Sequence, residues 1–133
     1  MMNNEDYASY ELAKKLKECG FAEPCDHYYT KEDAPDGTAW IVPTTDRENF
    51  NADSDCPFCK PLCSAPTLAQ AQKWLREVRG VDVEVRVCIV DGGKGYEAYV
   101  IPPYSLTPTK KDYESALSAG IATALELIKK GEC

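Results

Sequence analysis

The stretch Val81-Asp82-Val83-Glu84-Val85-Arg86-Val87-Cys88-Ile89, then Asp91-Gly92-Gly93-Lys94-Gly95, then Tyr96-Glu97-Ala98-Tyr99-Val100-Ile101, decides the fold class. Val81, Val83, Val85, Val87 and Ile89 alternate with Asp82, Glu84 and Arg86. A period of two sends successive side chains to opposite faces, so this segment reads as a half-buried strand. Residues 91–95 are turn chemistry, and residues 96–101 return as a second strand until Pro102-Pro103 stops it. The pair is an antiparallel hairpin. Its glycines do not make a phosphate loop, which needs four residues between its glycines, a Ser or Thr after the Lys, and a helix to follow. Here the turn joins two strands.

Helices flank this hairpin. Upstream, Thr67 and Gln70 stand at capping-box spacing, Leu68, Ala71, Leu75 and Val78 form an apolar seam with Trp74 beside it, and Gly80 ends the run. Downstream, a helix opening at Thr109, with Asp112 three residues on, buries Tyr113, Leu117, Ile121, Ala124, Leu125 and Ile128. These two helices are expected side by side on the face made by Val83, Val85 and Val87. Nearer the start, residues 6–19 carry a stripe of Tyr7, Tyr10, Leu12, Ala13, Leu16 and Cys19, with Lys14, Lys15, Lys17 and Glu18 on the wet side. Gly20 supplies the stop. Residues 26–30 and 38–42 read as strands around a turn at 33–37, the second ended by Pro43.

The order is helix, hairpin, helix, hairpin, helix. It predicts a single α+β domain over residues 1–133: two layers, with a four-stranded antiparallel sheet from two hairpins carrying three helices. The halves echo each other as an αββ pseudo-repeat at an offset of 59 residues, Leu16-Lys17-Glu18 against Leu75-Arg76-Glu77 and Ala39 to Pro43 against Ala98 to Pro102. The intervening segments do not align.

The chain has 133 residues, with 22 acidic against 15 basic and a net charge of −7. That balance disfavours nucleic-acid backbones and anionic membrane surfaces. The one local exception, Lys73, Arg76 and Arg79, is diluted by Glu77 and reads as a solvated helix face. The first residues, Met-Met-Asn-Asn-Glu-Asp, have neither the basic nor the apolar region of a signal peptide, and no apolar run reaches the roughly 18–20 residues of a membrane span. The expectation is a cytoplasmic protein whose seven cysteines are reduced thiols or metal ligands.

Cys56-Pro57-Phe58-Cys59-Lys60-Pro61-Leu62-Cys63 is the sharpest chemical feature, set in an irregular Cys-rich loop at about residues 44–65. A C-x2-C pair can present two thiolates to one zinc ion, Cys63 can add a third, and Cys25 or His27 a fourth. No second C-x2-C or H-x3-5-H pair completes the signature, so free thiols in a surface loop are the plainer reading and no cofactor is assigned. Redox chemistry of the glutaredoxin kind would need the first Cys to open a helix after a strand, and Pro61, Pro66 and polar flanks oppose that. His27 is the sole histidine, and no serine sits in a nucleophile motif. Tyr28, Tyr29, Trp40, Tyr96, Tyr99 and Tyr104 gather on the hairpins, partly as core and partly as material for a binding face.

The stretch Ala65-Pro66-Thr67-Leu68-Ala69-Gln70-Ala71-Gln72-Lys73-Trp74-Leu75-Arg76-Glu77-Val78, with Tyr113 to Gly120 and Leu16 to Phe21, resembles a family of small uncharacterised proteins of prophage and mobile-element regions in gut anaerobes. The likeness covers most of the chain, and the Cys-rich loop departs from it. It implies a small accessory protein of a phage or mobile element, and no functional residues. A non-catalytic module binding a protein, one with a basic surface, is the leading expectation, with homo-oligomerisation open. A small structural-zinc module is the alternative, and an enzyme ranks third.

Overall fold

The computed structural model describes residues 6–31, 38–51, 62–101 and 105–129. Among them the chain is α+β, with three helices and two three-stranded antiparallel sheets. They fall into two units, Tyr7–Thr67 and a second built from Leu68 onward.

In the first unit, helix α1 (Tyr10–Glu18) starts where Ser9 Oγ accepts the Leu12 N–H at 3.2 Å. It ends on Gly20, whose φ of 93° suits a residue without Cβ. The Phe21 N–H then bonds to the Leu16 carbonyl at 2.9 Å and the Gly20 N–H to that of Lys17 at 3.1 Å, the two bonds of a Schellman closure. Strand β1 (Cys25–Thr30) is central, between β2 (Trp40–Glu48) and the two-residue β3 (Cys63–Ser64).

Two expectations need correction here. Pro43 does not end β2. It stands at a break in register where Cys25 faces Glu48 but His27 faces Pro43, on a strand at the sheet edge, where a missing N–H is tolerated. Nor is the stretch expected to be mostly irregular and exposed, 44–65, so at its described ends: 44–48 belong to β2, Cys63, Ser64 and Ala65 are fully buried, and 52–61 lie outside the described residues. A short polar chain holds this region. Ser64 Oγ accepts from the Phe50 N–H at 2.8 Å, the Ser64 N–H donates to Asn51 Oδ1 at 2.9 Å, and Asn51 Nδ2 donates to the Phe21 carbonyl at 2.8 Å. The turn expected at 33–37 lies outside the described residues.

In the second unit, α2 (Leu68–Val78) leads through Gly80 into β4 (Asp82–Val90). Asp91 and Gly92 have φ of 49° and 80°, so a two-residue type I′ turn returns the chain. Strand β5 (Gly93–Ile101) therefore takes up Gly93 and Gly95, which the sequence placed in the turn. Strand β6 (Ser105–Leu106) pairs with β5, giving the order β4-β5-β6. Helix α3 (Tyr113–Lys129) does not open at Thr109, because Lys110 exchanges two backbone bonds with Tyr96 and is held in the sheet. It opens instead on Asp112, whose Oδ1 accepts the Ser115 N–H at 2.7 Å and whose carboxyl is thereby held below its ordinary pKa.

The core of this unit is Leu68, Ala71, Trp74 and Leu75 of α2, Val83, Ala98 and Val100 of the sheet, and Ala116, Leu117, Ile121, Ala124 and Leu125 of α3. As expected, α2 packs beside α3 and α3 lies on β4 and β5. Val78, Tyr113 and Val87 leave that core, at 61%, 43% and 57% exposure. The helices cover only the first part of β4. A methyl group on Gly120 would stand 2.7 Å from both Ala98 Cβ and Val83 Cγ1. Neither neighbour is the free end of a flexible chain. Gly120→Ala is therefore expected to lower the urea midpoint: overpacking of about 1–3 kcal/mol opposes a helix-propensity gain of about 1 kcal/mol.

The expected four-stranded sheet is replaced by two three-stranded ones for a physical reason. Strands β3 and β6 occupy one edge of each hairpin, on β1 and β5, so neither of those strands can pair with the other hairpin. Each short strand is nearer in sequence to the hairpin it extends than the other hairpin is. The pseudo-repeat is kept only loosely at the helix ends: Val81, like Phe21, is buried after a left-handed glycine and donates its N–H to the carbonyl of a helix leucine, Leu75, but it stands 60 residues after Phe21, one more than the offset of 59. It fails in the sheets. β3 adds to the first strand of its hairpin and β6 to the second, so the echoed Ala39-to-Pro43 stretch lies on an edge while Ala98 to Ile101 lie on a central strand.

Candidate functional site

Three of the zinc candidates share the first sheet. Cys25 is buried, and its thiol donates to the Glu23 carbonyl at 3.6 Å. Cys63 is fully buried opposite Tyr29, and burial pushes its thiol up to about 11, with Lys17 and Lys14 offsetting only part of the shift. At neutral pH it is a protonated core thiol. Burial likewise raises Tyr29 to about 12, and its hydroxyl donates to the Ala8 carbonyl at 2.7 Å. His27 is half-buried, its ring 4.5 Å from that of Tyr7 and its Nδ1 2.8 Å from Asp26 Oδ1, a hydrogen bond that lowers the Asp26 pKa. Among the described residues, no group of three or more His, Cys, Asp or Glu side chains is placed to hold a metal. Cys25, His27 and Cys63 are thus on adjacent strands without forming a ligand set, and Cys56 and Cys59 lie outside the described residues.

The hairpin aromatics are dispersed. Tyr29 is core, Tyr28, Tyr96 and Tyr99 are half-buried against Phe50, Tyr113 and Arg86 respectively, and Trp40 is 38% exposed. Tyr104 lies outside the described residues. Lys73, Arg76 and Arg79 are exposed, with Arg76 3.8 Å from Glu77, as a solvated face requires. No described helix is long and apolar enough to cross a membrane.

The feature with most capacity to bind is the open edge of β4. In an antiparallel pair, residues directly opposite either exchange both backbone bonds or both point away from each other. Ala98 exchanges bonds with Thr107 on the far side of β5, its carbonyl accepting at 3.0 Å and its N–H donating to Thr107 Oγ1 at 3.1 Å. Tyr96 does the same with Lys110, at 3.0 and 2.8 Å. Their opposite residues, Val85 and Val87, must then aim their N–H and C=O groups off the free edge. Val83 agrees: its carbonyl accepts from Gln72 Nε2 of α2. Val83, Val85, Val87 and Ile89 therefore line the open edge with backbone. Among the described residues, only the Val83 end is capped.

No family model, curated protein or solved structure matches this chain. The site therefore rests on geometry alone. Val87 and Ile89 are 57% and 77% exposed on the face that α3 covers further along. The contrast with β2 is instructive. That edge strand carries Pro43, a break in register and the charges Asp46, Arg47 and Glu48, devices that discourage strand addition. Strand β4 has nine residues, no proline and no register break. Sequence reading found its valines but not its open edge, because which side is open depends on where Thr107 and Lys110 dock.

Proposed function

We propose that this protein is a non-catalytic interaction module, an accessory protein of a prophage or mobile element, which takes up an extended segment of a protein partner along the free edge of β4. The observation that carries the reading is the row of outward-facing backbone groups at Val85, Val87 and Ile89 beside exposed apolar side chains. Main-chain bonds supply affinity in such strand addition, and pockets for alternate side chains supply selectivity. The net charge of −7 favours a partner with a basic surface.

Val87→Pro tests it. The Val87 N–H faces the open edge, so proline there removes no bond to β5 while closing the edge to a further strand. Wild-type and Val87→Pro protein, matched for melting temperature, serve as baits in extracts of a host carrying the element. The expected result is a partner retained by the first and depleted at least about tenfold with the second. Equal retention of every captured protein would overturn the reading.

A further inference from the structure

Every register of β4 against another β4 strand can be weighed from the residues present, and one of them is self-complementary. We propose that the free edge of β4 pairs antiparallel with the same edge of a second copy of this chain, about a two-fold axis at Val87. This rests on the β4 edge being the interaction element, and it names the first occupant of that edge.

Only Val83, Val85, Val87 and Ile89 direct backbone groups outward, so bonded pairs across a two-fold axis must join these residues to one another. An axis at Val85 would pair Val83 with Val87, but the Val83 carbonyl already accepts from Gln72. An axis at Arg86 sets two guanidinium groups against each other in a non-bonded pair, where side chains are closest and like charges repel. An axis at Cys88 pairs Val85 with Asp91, a turn residue at φ 49° that no longer continues the strand. An axis at Val87 pairs Val87 with Val87 and Val85 with Ile89 in both directions. All three uncapped residues are then bonded, and the capped Val83 lies at the margin.

The side chains agree with that register. Val87 and Ile89, both exposed on one face, meet their counterparts and remove each other from water. On the opposite face Arg86 falls across from Cys88, with no like-charge pair. The two sheets become one six-stranded sheet with β4 no longer at an edge, which resolves the hazard of a long unprotected edge strand.

Sedimentation across micromolar to submillimolar concentrations should show a monomer–dimer equilibrium for the wild-type chain. Val87→Pro should weaken it by at least about tenfold, because the symmetry removes two bonds at once. Ile89→Lys should weaken it as well, without lowering the melting temperature of the monomer. Arg86→Cys checks the register. Across a non-bonded pair the Cα atoms are about 4.5 Å apart, within the range of a disulfide. Oxidised glutathione, accepting the two electrons, should link the new thiol to Cys88 of the second copy, and the link should be lost when Cys88→Ser is added. A wild-type chain that stays monomeric throughout would overturn the self-pairing while leaving foreign-strand capture by the same edge intact. A dimer that Val87→Pro leaves unchanged, or a Cys88–Cys88 link in the wild type, would overturn it too.

Discussion

Leu75→Ala is expected to destabilise the protein by about 2–5 kcal/mol, read as a fall in ΔG from a urea titration at constant m. Leu75 is fully buried in α2, where that helix meets α3. Alanine is the best helix former, so the helix itself does not weaken and the loss comes from burial and the cavity left behind. The backbone anchor at this residue is also unaffected: the Leu75 carbonyl accepts from Arg79 at 3.1 Å and Val81 at 2.9 Å whatever the side chain. Against a typical total of about 5–15 kcal/mol, the change is large. Lys73→Ala, two residues away on the exposed face, should stay within about 0.5 kcal/mol. Equal effects would mean that the helix is rotated from its observed setting.

That pair of residues also marks how far the sequence could be read. The rotation of α2 was legible because Leu68, Ala71 and Leu75 recur at helical spacing, and Trp74 beside them is buried with them. Val78 fits the same spacing yet is exposed, because periodicity assigns a face and not the point at which the neighbouring elements end. Val87 fails for the same reason: its alternation is faultless, but the α3 residue Gly120 packs on Val83 and Ala98 while Val87, further along β4, is 57% exposed. Pairing beyond a hairpin was illegible. Strands β3 and β6 have two residues each, too few to show a period, yet they decide that there are two sheets and which edges stay open. Cys63 shows a competing signal at work. Its spacing from Cys59 drew it toward a metal reading, while its packing opposite Tyr29 makes it core.

Phe21→Ala should have the largest effect of all, about 3–5 kcal/mol, and no periodic pattern announces it. Phe21 follows the glycine that stops α1, and its side chain is 1% exposed. Its position has three independent determinants. The Schellman closure bonds its N–H to the Leu16 carbonyl and turns the chain back over the helix end. The hydrophobic contact that accompanies such a closure lies between this residue and the last turn, where Leu16 is fully buried. Its carbonyl is held by Asn51 Nδ2, which ties the helix end to the loop that also fixes Ser64. Truncating the ring leaves both backbone bonds possible but opens a cavity beneath them. Asn51→Leu is the complementary variant. It keeps the ring and removes the amide that bonds the Phe21 carbonyl and the Ser64 N–H, at about 1–3 kcal/mol for the N–H of the fully buried Ser64. The two variants share Phe21, so their combined effect should differ from the sum by about 0.5 kcal/mol or more. Strict additivity would show that the ring and the polar chain act separately, and a loss below about 1 kcal/mol for Phe21→Ala would show that the ring does not seal the core.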